Sequence, residues 1–342
     1  MIDFDDARLE DPAVLNAADQ LLRPMAEAGA RLRRERLKIE DQLAVLSREP
    51  LPRAVIAFGP ESRLLRAILE PACPVPFVAW PRLGLPTWVG PLDLVVAMGA
   101  TNPVALAAAG EAVRRGSRLL VACPADSSLA MTSASRATTL LPTSADLLTC
   151  AVLVLDGLHR LGIGQRIDIE AVADAMDLAA SECSALLDIS ANPAKHIALE
   201  LAEAKPLVWG GSILAARASR RIAEALRAAC GRVVLAADAG AILPLLGAVP
   251  LRDVFADPFE DVQECRPGLV VLDDGLGDEL AEAEQQSLVD QALRCGVLVS
   301  RIDCSAGDRV TRYVTLLHHG LFAAAYLRIG LDNQVGSQDG YS

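Results

Sequence analysis

The sequence predicts an α/β protein in which two doubly wound, mainly parallel, flavodoxin-like sheets are joined by helices. Hydrophobic runs alternate with helical patterns over residues 51–150 and again over 205–332, which is typical of parallel sheets with helical crossovers. Turns of small residues follow several of these runs, just before a helical pattern. We therefore expect an N-terminal helical segment (1–50), a first α/β domain (51–150), connecting helices (151–204), a second α/β domain (205–332) and a loose tail (333–342).

Size and charge limit the class of protein. The chain has 342 residues, 52% of them hydrophobic, so that two domains with substantial cores can form. The formal net charge of −12 argues against nucleic acid as a partner, since such binding depends on concentrated Lys and Arg. The basic run at residues 31–38 has acids close by and is interpreted as a solvated helix face. No signal peptide and no membrane span is indicated, so we expect a cytoplasmic protein.

Sequence motifs argue against several chemistries. Eight cysteines are spread singly without CxxC spacing, and there are four histidines, so neither a zinc site nor a disulfide framework is predicted. No G-x-G-x-x-G follows a strand, and no phosphate-binding G-x-x-x-x-G-K-[ST] is present. We therefore expect no metal and no cofactor.

The first half contains five predicted strands after a helical region that starts at Asp11-Pro12. These strands are expected at residues 54–58, 75–78, 94–98, 119–123 and 138–141, with helices at 61–69, 103–115 and 126–132. A mostly helical stretch follows from residue 145 to 204. The second half is expected to form strands at 207–209, 233–236, 269–272 and 297–302, and helices at 213–230, 279–293 and 309–328.

One turn is the first candidate for a binding site. Gly99, Thr101 and Asn102 lie between the 94–98 strand and the 103–115 helix. Backbone N–H groups converge at such a helix N-terminus, and the helix dipole favours an anion there. The Thr101 hydroxyl and the Asn102 amide could then hydrogen-bond a phosphate. The alternative is that these side chains only cap the helix, since Asn before Pro is a normal cap.

Two further turns share this pattern and the same two interpretations. Gly59 and Ser62 follow the 54–58 strand, and Ser127 and Ser128 follow the 119–123 strand. Because the carboxyl ends of parallel strands share one edge of a sheet, we expect the three turns to face one crevice at the topological switch point. A fourth turn of this type, residues 210–212, follows the 207–209 strand. Asp273 and Asp274 follow the 269–272 strand, where a turn, a helix cap and a site carboxylate are all compatible with the sequence.

With this layout and these turns, the chain resembles the sugar isomerase (SIS) fold, and within it the bifunctional phosphoglucose/phosphomannose isomerase family. Residues 57–62 (AFGPES) stand where that family has a GMGGS-like turn, and residues 98–105 (MGATNPVA) where it has an SYSGNTEE-like turn. Residues 124–128 (PADSS) stand in place of an SGG-like turn. Residues 205–231 resemble the strand, turn and helix that open the family's second domain, and HHGLFAAAYLRIGLDN resembles its terminal helix.

The residues that catalyse the family's reaction are not matched. Where family members have a glutamate and a histidine, residues 234–243 (VLAADAGAIL) offer Asp238 as their only ionisable group. The family arginine that follows a proline has no counterpart at residues 142–147. Aldose–ketose isomerisation needs a base to move a proton and an acid to open the ring. If the chain is active, Asp238 is the candidate base and His318 or His319 the candidate acid.

The resemblance leaves three hypotheses. The leading one is a non-catalytic or weakly active sugar-phosphate-binding protein, a homodimer whose interface is formed by the helices of residues 145–204. The second is an active glucose-6-phosphate/mannose-6-phosphate isomerase with relocated catalytic residues. The third is an interaction or regulatory subunit that binds an enzyme of sugar-nucleotide supply.

Overall fold

The computed structural model describes residues 4–250 and 266–331, which group into two compact units. One unit is the continuous segment Ala28–Ala173, and the other combines Met1–Glu27 with Asp174–Ser342. Each unit contains one sheet, and every strand pairing in both sheets is parallel. The predicted α/β class with two parallel sheets is confirmed.

The described residues contain nine strands and fourteen α-helices. The strands are β1 (Val55–Phe58), β2 (Phe77–Ala79), β3 (Leu94–Met98), β4 (Arg118–Cys123), β5 (Thr138–Pro142), β6 (Lys205–Gly210), β7 (Leu235–Ala236), β8 (Pro267–Asp273) and β9 (Val299–Asp303). The helices are α1 (Pro12–Ala17), α2 (Asp19–Ala26), α3 (Ala28–Lys38), α4 (Glu40–Leu46), α5 (Ser62–Leu69), α6 (Pro103–Arg115), α7 (Ser128–Thr132), α8 (Leu147–Arg160), α9 (Ile169–Glu182), α10 (Pro193–Glu200), α11 (Ile213–Cys230), α12 (Ala239–Gly247), α13 (Glu279–Arg294) and α14 (Arg309–Leu331).

The two sheets share one topological principle. Strands follow the order β2-β1-β3-β4-β5 in the first sheet and β7-β6-β8-β9 in the second. The direction of winding reverses between β1 and β3, and again between β6 and β8, so each sheet has a topological switch point at the carboxyl ends of those strands. Strands β1 and β3 are buried along their whole length, as expected for strands covered on both faces.

Element boundaries agree closely with the sequence patterns. Strand β3 and helices α6 and α11 begin and end at the predicted residues. Strand β2 begins at Phe77, two residues later than predicted, because Pro76 has no N–H to donate and contributes only its carbonyl, which accepts from Val55. The predicted tail, residues 333–342, lies outside the described residues.

The N-terminal helical region contains a short 3-10 helix (Asp6–Leu9) and four α-helices, α1 to α4. Helix α1 starts as predicted, since the Asp11 carboxylate accepts the Ala13 N–H at 2.8 Å and Pro12 occupies the first helical position. The contacts then divide this region differently from the predicted limits. Helices α1 and α2 belong to the unit with the second sheet, whereas α3 and α4 belong to the unit with the first. Periodicity indicates a helix but does not indicate what the helix packs against.

Two helices lie in the cores of their units. Helix α8 is buried from Thr149 to Leu158, so this part of the predicted dimer interface is occupied by the chain's own packing; the homodimer itself remains a prediction. Helix α14 packs on α10 and α11. By length and composition, α14 is the one helix among the described residues that could cross a membrane, but 78% of its apolar window is buried inside the protein, as in a core helix.

Candidate functional site

The three predicted turns meet at the switch point of the first sheet. Gly59 (φ +99°) and Gly99 (φ +91°) both adopt the left-handed backbone conformation that favours glycine. A Cβ on Gly59 would lie 2.8 Å from the Met98 carbonyl oxygen, so the turn after β1 approaches the end of β3 too closely for a side chain. The Leu129 N–H donates to the Ala100 carbonyl at 3.3 Å, which joins the turn after β4 to the turn after β3.

The capping interpretation is observed at two of the predicted residues. Asn102 Oδ1 accepts the Ala105 N–H at 3.0 Å and caps α6. Ser127 Oγ accepts the Ala130 N–H at 3.2 Å and caps α7. In both caps the side-chain oxygen accepts, so the cap itself does not use the Asn102 amide hydrogens. Ser127 is only 8% exposed, and its hydroxyl also contacts the thiol of Cys123, whose pKa is raised by burial.

The remaining predicted residues differ in exposure. Thr101 and Ser128 are exposed, and their hydroxyls lie in the turns after β3 and β4. Ser62, the first residue of α5, is only 6% exposed. The structure therefore brings Gly59, Gly99 and the Thr101 and Ser128 turns to one edge of the sheet, while Ser62 faces the interior.

A basic residue that the sequence analysis assigned to a solvated helix face lies beside this edge. A Cβ on Gly99 would be 3.1 Å from Leu147 Cδ2, so the start of α8 lies against the turn after β3. Asp146, the residue before Leu147, caps α8 and forms an ion pair with Arg31 (Nη2–Oδ2 3.6 Å). Arg31 belongs to α3, and its side chain is 13% exposed.

The basic run of residues 31–38 is therefore not only a solvated helix face. Leu32 and Glu35 are buried, and a Glu35 carboxylate oxygen accepts the Ser144 N–H at 3.1 Å, just beyond the end of β5. The guanidinium of Arg31 therefore reaches the region of residues 144–147 from a helix that precedes the sheet in the chain.

The three candidate catalytic side chains lie in the unit that contains the second sheet. Asp238 precedes α12 and is exposed, and its carboxylate makes no capping hydrogen bond. His318 is 2% exposed, with its Nδ1 2.8 Å from the Val314 carbonyl of its own helix. His319 Nδ1 lies 2.9 Å from the Thr315 carbonyl, and its Nε2 lies 3.1 Å from a carboxylate oxygen of Glu182.

These contacts give the two histidines structural partners within α14 and α9. Both ring nitrogens of His319 are within hydrogen-bond distance of protein oxygens, so the ring bridges two helices. Over residues 4–250 and 266–331, no group of three or more His, Cys, Asp or Glu side chains is arranged to hold a metal ion.

The second sheet carries the fourth predicted turn at its own switch point. Ser212 caps α11, accepting the Ala215 N–H at 3.0 Å. Its hydroxyl donates to the carboxylate of Asp274 at 2.5 Å, and Asp274 is 1% exposed. The other carboxylate oxygen of Asp274 accepts the Leu276 N–H at 3.1 Å. Asp274 is therefore a buried, fully hydrogen-bonded residue at the switch point of the second sheet. The sequence alone did not decide between a turn, a helix cap and a site carboxylate for this residue.

Solved structures with the same architecture include proteins whose names refer to phosphosugars. Tagatose-6-phosphate ketose/aldose isomerase from Escherichia coli superposes with a TM-score of 0.64 and 14% sequence identity over 95% of this chain and 97% of that one. The C-terminal domain of glucosamine-fructose-6-phosphate aminotransferase from Francisella tularensis superposes with a TM-score of 0.59 and 12% sequence identity. The match covers 90% of this chain and 94% of that one. A glucose-6-phosphate isomerase-like protein from Thermus thermophilus superposes with a TM-score of 0.51 and 16% sequence identity over 82% of each chain.

Sequence comparison alone finds no relative: neither a protein-family profile nor a curated protein matches the chain. The likeness is one of architecture at 12–16% identity, and it extends over both sheets. The resemblance inferred from the turns is therefore confirmed at the level of the fold, and the chain has the fold of the SIS phosphosugar isomerases.

Proposed function

We propose that the protein binds a sugar phosphate at the carboxyl edge of the first sheet and has little or no isomerase activity. The observation that carries this proposal is the close approach of the turns after β1 and β3, where Gly59 and Gly99 leave backbone without side chains at the switch point. Ligands of open α/β sheets bind in this crevice. The phosphosugar enzymes that share the fold make a sugar phosphate the most suitable ligand class.

The turns and their neighbours supply suitable groups for a phosphate. Helix α6 directs its N-terminal N–H groups and the positive end of its dipole toward this edge. The exposed hydroxyls of Thr101 and Ser128 can each donate a hydrogen bond. Arg31 adds a cation beside this edge, where it forms an ion pair with Asp146 (Nη2–Oδ2 3.6 Å).

The proposed lack of catalysis is supported by the surroundings of the candidate residues. A general base and a general acid must each reach the substrate through an accessible atom. His318 has almost no exposed surface, and His319 is engaged by Thr315 and Glu182. Asp238 is accessible but makes no hydrogen bond that would orient its carboxylate at the start of α12.

The first test is thermal unfolding with a panel of hexose 6-phosphates, with inorganic phosphate as the control. A ligand at about 100 times its Kd adds ~2.7 kcal/mol to the folded state, which a melting curve resolves easily. We expect stabilisation by at least one hexose phosphate beyond that given by phosphate alone. If no sugar phosphate stabilises the protein, the binding proposal is wrong and the interaction-subunit hypothesis takes its place.

Matched variants locate the site. Arg31→Gln and Ser128→Ala should each weaken binding of that sugar phosphate by about tenfold, since a charged or hydroxyl donor to phosphate is lost. Arg34→Gln, exposed on the same helix, and Ser181→Ala, exposed on α9, should leave the affinity unchanged. Equal effects of a variant and its control would place the ligand elsewhere.

Activity is tested separately by following aldose–ketose conversion of the sugar phosphate that binds. We expect no conversion above the uncatalysed rate. If conversion is observed and Asp238→Asn abolishes it, the result would instead support the second hypothesis, an active isomerase in which Asp238 is the base. The proposal also includes a homodimer and a cytoplasmic location. Light scattering with and without ligand would test the homodimer. Cell fractionation would test the location.

A further inference from the structure

Helix α3 holds the loop between β5 and α8 (residues 143–146, the β5–α8 loop) through two side chains. Arg31 and Glu35 are four residues apart and therefore lie on the same face of the helix. Arg31 forms the ion pair with Asp146, and a carboxylate oxygen of Glu35 accepts the Ser144 N–H at 3.1 Å. Because Glu35 is only 4% exposed, its contact with the loop is shielded from solvent. The loop is thus attached to α3 at two points.

The β5–α8 loop in turn sets where α8 begins. Asp146 Oδ1 accepts the Thr149 N–H at 2.7 Å and caps this helix. Leu147, the first residue of α8, has its Cδ2 only 3.1 Å from the position that a Cβ on Gly99 would take. Close-packed groups transmit a displacement to their neighbours. A shift of the loop would therefore reach the turn after β3, where the phosphate of a sugar phosphate is proposed to bind.

The contact between Glu35 and Ser144 requires an acceptor oxygen at a fixed reach from α3. Ser144 is half-buried, and a backbone N–H that is enclosed in the protein needs an acceptor. A glutamine at position 35 has the same length and also carries an acceptor oxygen, whereas an aspartate keeps the charge but is shorter by one methylene group. The length of the side chain, not its charge, should therefore decide whether the contact forms.

We propose that Glu35 is a positioning residue for the turn after β3: by holding Ser144 it keeps the start of α8 against Gly99. The carboxylate acts through the β5–α8 loop and needs no contact with a ligand. Its consequence for binding rests on the proposed function, since the phosphate is placed at this turn. The positioning itself is a property of the ligand-free protein and is measured there.

Hydrogen exchange of the ligand-free full chain, followed by mass spectrometry, tests the positioning. Glu35→Asp should accelerate exchange at residues 99–105 and 143–150 at least tenfold, because the shorter side chain releases the loop. Glu35→Gln should remain within twofold of the unmodified protein in both segments. Unchanged exchange at residues 99–105 in Glu35→Asp would overturn the proposal. An acceleration by Glu35→Gln that equals or exceeds that of Glu35→Asp would overturn it as well.

Asp93 supplies the matched control for a general loss of stability. It is a buried carboxylate of the same unit, 0% exposed, at the opposite end of β3. There it accepts from Arg53 Nη2 at 2.6 Å and from the Gly90 N–H at 2.9 Å. Asp93→Asn should lower the melting temperature but keep exchange at residues 99–105 within twofold. If it accelerates exchange there as much as Glu35→Asp does, the assignment of Glu35 is wrong.

Calorimetry with glucose 6-phosphate and mannose 6-phosphate, well below the melting temperature of each variant, tests the consequence for binding. We expect Glu35→Asp to weaken binding at least fivefold and Glu35→Gln to restore the affinity of the unmodified protein. A sugar phosphate that binds Glu35→Asp and the unmodified protein equally would overturn the role of Glu35 in binding. If neither compound binds the unmodified protein, the result contradicts the proposed function, whereas the exchange rates of the ligand-free chain still decide whether Glu35 positions the turn.

Discussion

Ser212 donates a hydrogen bond to the buried carboxylate of Asp274 at 2.5 Å and thereby ties the turn after β6 to the end of β8. The same Ser212 oxygen accepts the Ala215 N–H and begins α11. One hydroxyl therefore supports a helix start and satisfies a carboxylate that is 1% exposed. Burying a carboxylate is costly unless its oxygens find donors, so this pair matters for stability.

Replacing this serine should destabilise the protein. Ser212→Ala removes both a helix cap and the donor to Asp274, and we expect a loss of about 1–3 kcal/mol in the free energy of unfolding. Urea denaturation measures the change. Ser181→Ala, an exposed substitution on α9, should stay within about 0.5 kcal/mol of the unmodified protein. A loss below that level for Ser212→Ala would mean that solvent replaces the bond at no cost.

Gly59, at the switch point of the first sheet, should not tolerate a side chain. Gly59→Ala places a Cβ 2.8 Å from the Met98 carbonyl at φ +99°, and we expect a loss of about 1–3 kcal/mol in chemical denaturation. Gly231→Ala is the matched control, because its φ is also positive (+64°) and a Cβ there meets no atom within 4 Å. A similar loss for both variants would show that the positive φ, not the close approach to Met98, determines the effect.

A buried ion pair in the first unit gives a third prediction. Asp156 is 4% exposed and accepts from Arg36 Nε at 2.5 Å. Asp156→Ala leaves this guanidinium without its buried partner and should cost about 2–4 kcal/mol, which is less than for a fully enclosed pair because Arg36 retains 16% side-chain exposure. Glu40→Ala removes the exposed partner of Arg36 and should cost less than about 1 kcal/mol. Thermal unfolding of the two variants at pH 7 compares these losses, and equal losses would contradict the importance of burial.

Stability should fall in alkali because burial strongly raises the pKa of two of the buried thiols. Burial raises the pKa of Cys150 and of Cys183 to about 12 from an ordinary value of 9.0. Between pH 9 and pH 12 each of the two thiols loses its proton in the unfolded chain but keeps it in the folded chain. The free energy of unfolding is therefore unaffected by these thiols below pH 9 and decreases as the pH rises toward 12.

The slope is about 1.4 kcal/mol per pH unit for each thiol at most. The double variant Cys150→Ala/Cys183→Ala should have a lower stability at pH 7 but a flatter decline between pH 9 and 11 in urea titrations. Cys73→Ala, at a partly exposed position, should keep the slope of the unmodified protein. An unchanged slope in the double variant would assign the decline to other groups.

Most of the architecture could be predicted because buried parallel strands and amphipathic helices leave strong local patterns. Strand β3 and helices α6 and α11 were located to the residue. Packing between segments that are distant in the chain leaves no local sequence pattern. The sequence therefore does not indicate that α2 and α3 belong to different units. Lys195 illustrates the same limit: it is 1% exposed and donates to the carbonyls of Ala185 and Leu187, although nothing in its local sequence distinguishes it from a surface lysine.

The candidate site was predictable only in part for a related reason. Turns at the ends of parallel strands meet at one edge by topology, so Gly59 and Gly99 could be placed together from the sequence. The orientation of a side chain depends on local hydrogen bonds, and Asn102 and Ser127 have their oxygens in helix caps. The position of Arg31 and the burial of Asp274 depend on tertiary contacts, and the sequence alone could not select them.

The division of the chain also has a consequence for its synthesis on the ribosome. Ala28–Ala173 is continuous, so all five strands of its sheet are available once residue 173 has emerged. The other unit unites the first helices with α14, and the Asp5 N–H donates to the Gly330 carbonyl at 2.9 Å. At about 5–20 residues per second, the residues before Ala28 wait at least ~15 seconds for this partner. A nascent chain stalled near residue 200 should therefore contain one folded sheet and a leading segment still open to proteases.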